Sequence, residues 1–125
     1  MEVVRRSSVC VVDDDVSVRE SLHGWLKSLG FVSHTFDSAE SLLESSRLPA
    51  TDCLILDVRL AGMSGLELQR ELRARGEVIP IIFITAHGNA TLHDQAVREG
   101  ALAVLDKPFA EAAMLNAIRA AVNRG

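Results

Sequence analysis

Ser8-Val9-Cys10-Val11-Val12-Asp13-Asp14-Asp15 runs from a short apolar stretch straight into three carboxylates, and its reading decides the fold. A continuous apolar run of this length, without polar alternation, suits a parallel strand covered on both faces. The layout recurs at Cys53–Leu56 before Asp57, at Ile81–Ile84 before Thr85, and at Leu102–Leu105 before Asp106-Lys107-Pro108. A further run, Phe31–Phe36, comes second in chain order, and its Ser33, His34 and Thr35 assign it to an edge.

Helical patterns lie between these runs. Val18, Leu22, Trp25, Leu26 and Leu29 fall on one helix face that Gly30 stops, and Trp25 reads as core. Asp37-Ser38-Ala39-Glu40 opens a helix holding Leu42 and Leu43. Ser64-Gly65-Leu66-Glu67 reads as a capping box for a helix with Leu68 and Leu72 inward and Gly76 at its end. Between Ala90 and Glu99 the apolar content is poor, chiefly Leu92, Ala96 and Val97, so that helix should be lightly docked. The last helix turns Leu115, Ile118 and Val122 to one side. Strand and helix thus alternate five times. Right-handed crossovers then give an α/β fold, a doubly wound parallel sheet with helices on both faces. In such sheets ligands bind beyond the carboxyl ends of the strands.

Composition narrows the function classes. With 125 residues, 48% apolar and 24% charged, the chain is expected to form one domain. Residues 1–7 read as a flexible arm, and no output domain is visible. No apolar run approaches the roughly 20 residues that span a bilayer. Arg5-Arg6 does not make an export signal, because the run after it ends at Asp13. A cytoplasmic protein without membrane attachment is expected. The net charge of −4, with scattered basic residues, disfavours direct nucleic-acid binding. Cys10 and Cys53 sit inside apolar runs and read as buried, reduced thiols.

The carboxyl ends of the strands carry the chemistry. In this architecture Asp13, Asp14 and Asp57 converge on one rim, where three like charges oppose folding unless a cation joins them. Oxygen-only ligands select a hard ion, and carboxylates plus water describe Mg²⁺ better than Zn²⁺, with Mn²⁺ as a substitute. Lys107 adds a fixed positive charge and Thr85 a hydroxyl donor. An acceptor carboxylate, a metal, an ammonium and a hydroxyl together suit in-line phosphoryl transfer.

Val11-Val12-Asp13-Asp14-Asp15, Leu56-Asp57-Val58-Arg59-Leu60, Gly62-Met63-Ser64-Gly65, Ile84-Thr85-Ala86 and Asp106-Lys107-Pro108-Phe109 occur in that order at those strand ends. Over essentially its whole length the chain resembles the receiver domain of two-component response regulators, most of all those preceding a helix-turn-helix output domain. The resemblance implies a flavodoxin-like sheet of order 2-1-3-4-5. It implies a signalling domain, not a turnover enzyme, that accepts a phosphoryl group on Asp57 from a sensor histidine kinase or a small donor and then switches conformation. Asp13, Asp14, Asp57 and the Arg59 backbone carbonyl would hold Mg²⁺. Thr85 and Lys107 would meet the phosphoryl oxygens, and Lys107-Pro108 would be cis. Arg59 and His87 would tune the lifetime of the phosphoryl group. A phosphorylation-dependent homodimer would form through the fourth helix, fifth strand and fifth helix. Asp15 lies outside the acidic pair and reads as a helix cap.

Two positions depart from the family pattern. Ala61 stands where Pro is usual, which should loosen the loop after Asp57. Val104 stands where an aromatic residue usually switches, and a stiff β-branched side chain cannot repeat that swing. His23, His34 and His93 lack acidic partners at ligand spacing and read as surface residues. A flavin or nucleotide carrier of this fold would want a Gly/Ser/Thr-rich loop after the first strand, where this chain has three acids.

Overall fold

The computed structural model describes residues 6–123. Five strands, β1 (Ser8–Val12), β2 (Val32–Phe36), β3 (Cys53–Asp57), β4 (Ile81–Thr85) and β5 (Ala103–Asp106), alternate with five helices. These are α1 (Val16–Ser28), α2 (Ala39–Glu44), α3 (Gly65–Ala74), α4 (Ala90–Arg98) and α5 (Glu111–Val122), with a short 3₁₀ turn at Leu48–Ala50. The strands are parallel in the order β2-β1-β3-β4-β5, so the doubly wound sheet is as expected. The expected arm falls on residues 1–5, outside the described residues, and on Arg6 and Ser7; Ser7 already accepts the Val32 N–H at 2.9 Å.

Strand burial follows position in the sheet. β3 and β4 are buried at every residue, which is why they read as unbroken apolar runs. β2 is an edge strand, as its polar residues required. β5 is the other edge and only half-buried, so reading Leu102–Leu105 as covered on both faces was wrong.

Two apolar layers result. Cys10, Leu54, Leu56, Leu68, Leu72, Phe83 and Ala96 fill the space under α2, α3 and α4. Val9, Leu22, Leu26, Cys53, Ile55, Ile82, Met114 and Ile118 fill the space under α1 and α5. Removing the fully buried Phe83 ring would cost about 3–5 kcal/mol in transfer and cavity terms. The two cysteines belong to opposite layers, and burial pushes the Cys53 thiol up to about 12. Both are free thiols, as expected.

Helix ends obey local chemistry. Asp15 caps α1 through Ser17 N–H, Ser38 caps α2, and Ser64 with Glu67 forms the capping box of α3. Gly30, Gly76 and Gly100 close α1, α3 and α4 with φ of 91°, 74° and 106°, a conformation that favours glycine.

Several inward assignments shift. Leu29 is the C-cap of α1 and 44% exposed, because the face turns away as the helix ends. Trp25 is half-buried: it packs against the layer under α1 and α5 and also lines a groove of about 550 Å³ between α1 and Lys107-Pro108-Phe109. In α5 the buried residues are Met114, Ile118 and Ala121, with Leu115 and Val122 flanking them. In α4 only Ala96 is buried and Val97 is 55% exposed, so the helix is indeed lightly docked. No described helix is long and apolar enough to cross a membrane.

Candidate functional site

Register brings the charged residues together. Val12 is level with Leu56, so Asp13, one residue on, stands beside Asp57 at the carboxyl edge. Thr85 ends β4 level with Asp106, and Lys107 follows at once. Carboxylate oxygens of Asp13, Asp14 and Asp57 lie within 4.8 Å of one another. Asp13 is fully buried and Asp57 nearly so, while Asp14 is exposed.

Lys107 is the cation among them. Its Nζ donates to Asp13 Oδ2 at 2.9 Å and to Asp57 Oδ2 at 3.0 Å. The Lys107–Pro108 peptide is cis. The backbone holds the two acids from the other side: Asp15 N–H donates to Asp13 Oδ1 and Arg59 N–H to Asp57 Oδ1, each at 2.9 Å. Burial pushes the Asp57 carboxyl above the usual carboxylate range; Lys107 and the Arg59 N–H oppose this, and the Asp13 charge adds to it. Burial works to lower the Lys107 ammonium, but its bonds to Asp13 and Asp57 outweigh that and raise it.

Close packing sets where Asp57 sits. A Cβ on Gly65 would lie 2.3 Å from the Asp57 carbonyl oxygen, so α3 can start against β3 only with glycine there. Gly65 N–H donates to Val58 O at 3.0 Å and fixes that approach.

The remaining expected residues divide. Thr85 is fully buried and its hydroxyl accepts the His87 N–H at 3.2 Å. His87 and Arg59 are exposed at the rim and meet the site through backbone N–H groups. Val104 is half-buried and packs on the α4 side, beside the same cluster as Leu92.

Sequence reasoning passed over three residues. Arg19 reaches back from α1 to the Asp13 carbonyl at 2.8 Å, a link whose spacing of six has no periodic signature. Glu40 Oε2 accepts the Met63 N–H at 2.9 Å, tying α2 to the loop that carries Ala61. Asp106 Oδ1 lies 3.2 Å from His93 Nε2, an acidic partner supplied by the following strand that ligand spacing does not show.

The donor set fits a hard divalent cation: all its side-chain ligands are carboxylate oxygens, and one of them faces water.

Residues 9–119 match the family model described as the response regulator receiver domain. The chain belongs to this family. The response regulator protein TodT of Pseudomonas putida is 44% identical over 118 residues, which are 94% of this chain and 52% of TodT. The response regulator StyR is similar in structure, with a TM-score of 0.87 and 48% identity over 94% of this chain and 60% of that one. The crystal structure of FixJ-N gives 0.85 and 34% identity, covering 98% of both chains. The receiver domain described here spans about half the length of the curated relatives it matches.

Proposed function

We propose that this receiver domain accepts a phosphoryl group on Asp57 from the phosphohistidine of a sensor histidine kinase, or from a small donor, and changes conformation as it does so. The observation that carries the reading is the single ammonium of Lys107, held 3.0 Å from Asp57 and 2.9 Å from Asp13. In the transfer an Asp57 carboxylate oxygen attacks phosphorus, the P–N bond breaks, and the histidine nitrogen keeps the electron pair and takes up a proton. The Arg59 N–H holds Oδ1 and so orients the nucleophile. Lys107 and the Thr85 hydroxyl then meet the phosphoryl oxygens, giving the charge stabilisation that dominates such reactions. Mg²⁺, or Mn²⁺ in its place, held by Asp13, Asp14, Asp57 and the Arg59 carbonyl, supplies further neutralisation of charge on those oxygens.

Other features support the same reading. The groove beside Lys107, with Val18, Leu22 and Trp25 along one wall, gives the kinase segment carrying the phosphohistidine an apolar surface next to the acceptor. Arg59 and His87 stand where they can help or hinder an attacking water, which assigns them to the lifetime of the phosphoryl group. The domain covers residues 1–125, acts in the cytoplasm, works as a signalling element and not a turnover enzyme, and dimerises on phosphorylation through α4, β5 and α5. The scattered basic complement argues against direct nucleic-acid contact by these residues.

Intact-mass measurement after acetyl phosphate and Mg²⁺ tests this. One added phosphoryl group is expected, none in Asp57→Asn, and none in the parent with EDTA. Normal labelling of Asp57→Asn would refute the assignment.

A further inference from the structure

Thr85 and Asp106 are level partners on β4 and β5, two residues beyond the level pair Phe83 and Val104. Strand alternation therefore puts all four side chains on the sheet face that α4 covers. Lys107 N–H also donates to the Thr85 carbonyl at 2.7 Å, so the ends of the two strands move as one unit.

Asp106 Oδ1 meets His93 Nε2 at 3.2 Å. An ionised carboxylate only accepts, so Nε2 carries the hydrogen. Gly88 lies beneath this contact. A Cβ there would stand 2.2 Å from Asp106 Oδ1, 2.9 Å from His93 Nε2 and 2.9 Å from Thr85 Cγ2. The β4–α4 turn thus touches the Thr85 side chain and both members of the pair at one point, with no room to spare.

The far end of α4 is held differently. Gln69 Nε2 donates to Ala96 O at 3.2 Å, and Arg70 pairs with Glu99 through two bonds of 2.8 and 3.2 Å. Arg73 donates to the Glu99 carbonyl. Asn89 caps the near end, where Ala90 and Thr91 are exposed. α4 is clamped to α3 at its last turn and tied to β5 at its second.

We infer that the His93–Asp106 contact is a latch between the phosphoryl site and α4, supplying the coupling that Val104 is too stiff to give. The inference rests on the proposed phosphorylation of Asp57. A phosphoryl group there draws the Thr85 hydroxyl and the Lys107 ammonium toward its oxygens. Thr85 touches Gly88, and Lys107 follows Asp106 in the chain and is tied through its N–H to the Thr85 carbonyl, so both movements converge on the His93–Asp106 contact. The latch opens, and the first part of α4, up to His93, swings about the clamp formed by Gln69, Arg70 and Arg73. Coupling is reciprocal: opening the latch by mutation must favour the phosphoryl-bound state.

The test uses beryllofluoride with Mg²⁺ as the phosphoryl analogue, counted by native mass spectrometry, with amide exchange read over residues 90–95. His93→Ala should bind the analogue several-fold more tightly and show raised exchange before any is added. His93→Gln, which restores an N–H donor of similar reach, should return both toward the parent. Asp106→Ala opens the contact from the strand side and should move affinity the same way, so the test survives a misfolded His93→Ala. Affinity at or below the parent's in both alanine variants, or unmoved exchange in 90–95, overturns the latch. Failure of the folded parent to bind beryllofluoride overturns the Asp57 reading, and the latch with it.

Discussion

Lys107 Nζ stands 3.0 Å from Asp57 Oδ2, and this contact joins Asp57 to the strand edge that faces α4. Removing the ammonium leaves Asp13 and Asp57 buried without a counter-charge. Lys107→Ala is therefore expected to lose roughly 2 kcal/mol without metal, below the value for a fully buried pair because Lys107 keeps some exposure to water. Linkage fixes the pH dependence. The raised Lys107 contributes stability below the ordinary lysine range that is lost as pH rises through its folded value. The raised Asp57 has the same sign in pH: its protonation favours the fold, so this contribution also grows as pH falls through its folded value, although at neutral pH the charged carboxylate costs stability where the charged ammonium supplies it. Metal-free Asp57→Asn should then melt above the parent at neutral pH, and thermal melts across pH check both signs.

The acidic cluster predicts a response to metal. With Mg²⁺ at ~100 times its dissociation constant, a single-site ligand adds about 2.7 kcal/mol. The melting temperature should rise with Mg²⁺, and Asp14→Asn should raise it without metal while blunting the response. Calorimetry that finds no effect of Mg²⁺ at any concentration would contradict the cluster as a cation site.

Arg59 and His87 lie exposed beside Asp57 while contributing backbone N–H groups to Asp57 and Thr85. Their side chains are free to meet an attacking water. Exchanging either for Ala should change the decay of phosphorylated protein several-fold and leave Mg²⁺ affinity near the parent value. Decay followed by mass gives the answer; identical rates in all three proteins count against a tuning role.

Glu40 grips the loop that carries Ala61 from α2, through the Met63 N–H. A single bond from a charged acceptor contributes about 1.5 kcal/mol. Glu40→Ala should raise amide exchange in residues 61–63, and adding Ala61→Pro should bring it back down. Unchanged exchange in Glu40→Ala would show that the loop is held by its own packing.

What the sequence disclosed followed from periodicity and caps. β1, β3 and β4 were legible because strands covered on both faces must be apolar throughout, and α3 because Ser64 and Glu67 write its start. The acidic cluster was legible because each member follows such a strand. β5 misled because an edge strand can be as apolar as a central one while half of it faces water. Trp25 was placed on the correct side, packed against the core, but helix spacing does not show that one of its edges faces a groove. Arg19, Glu40 and the His93–Asp106 pair escaped because their partners are set by tertiary placement. Only a register such as Thr85 level with Asp106 brings His93 of α4 within reach of an acid on β5.

The two thiols, back to back in neighbouring strands and facing opposite layers, carry a consequence of another kind. An alkylating reagent attacks a thiolate, and burial both hides these sulfurs and holds them protonated. Labelling must therefore wait until the central strands part. Cys10 reports separation from the layer under α2 to α4, and Cys53 reports separation from the layer under α1 and α5. Equal labelling rates would mean that the sheet comes undone in one event; unequal rates would rank which side of it opens first.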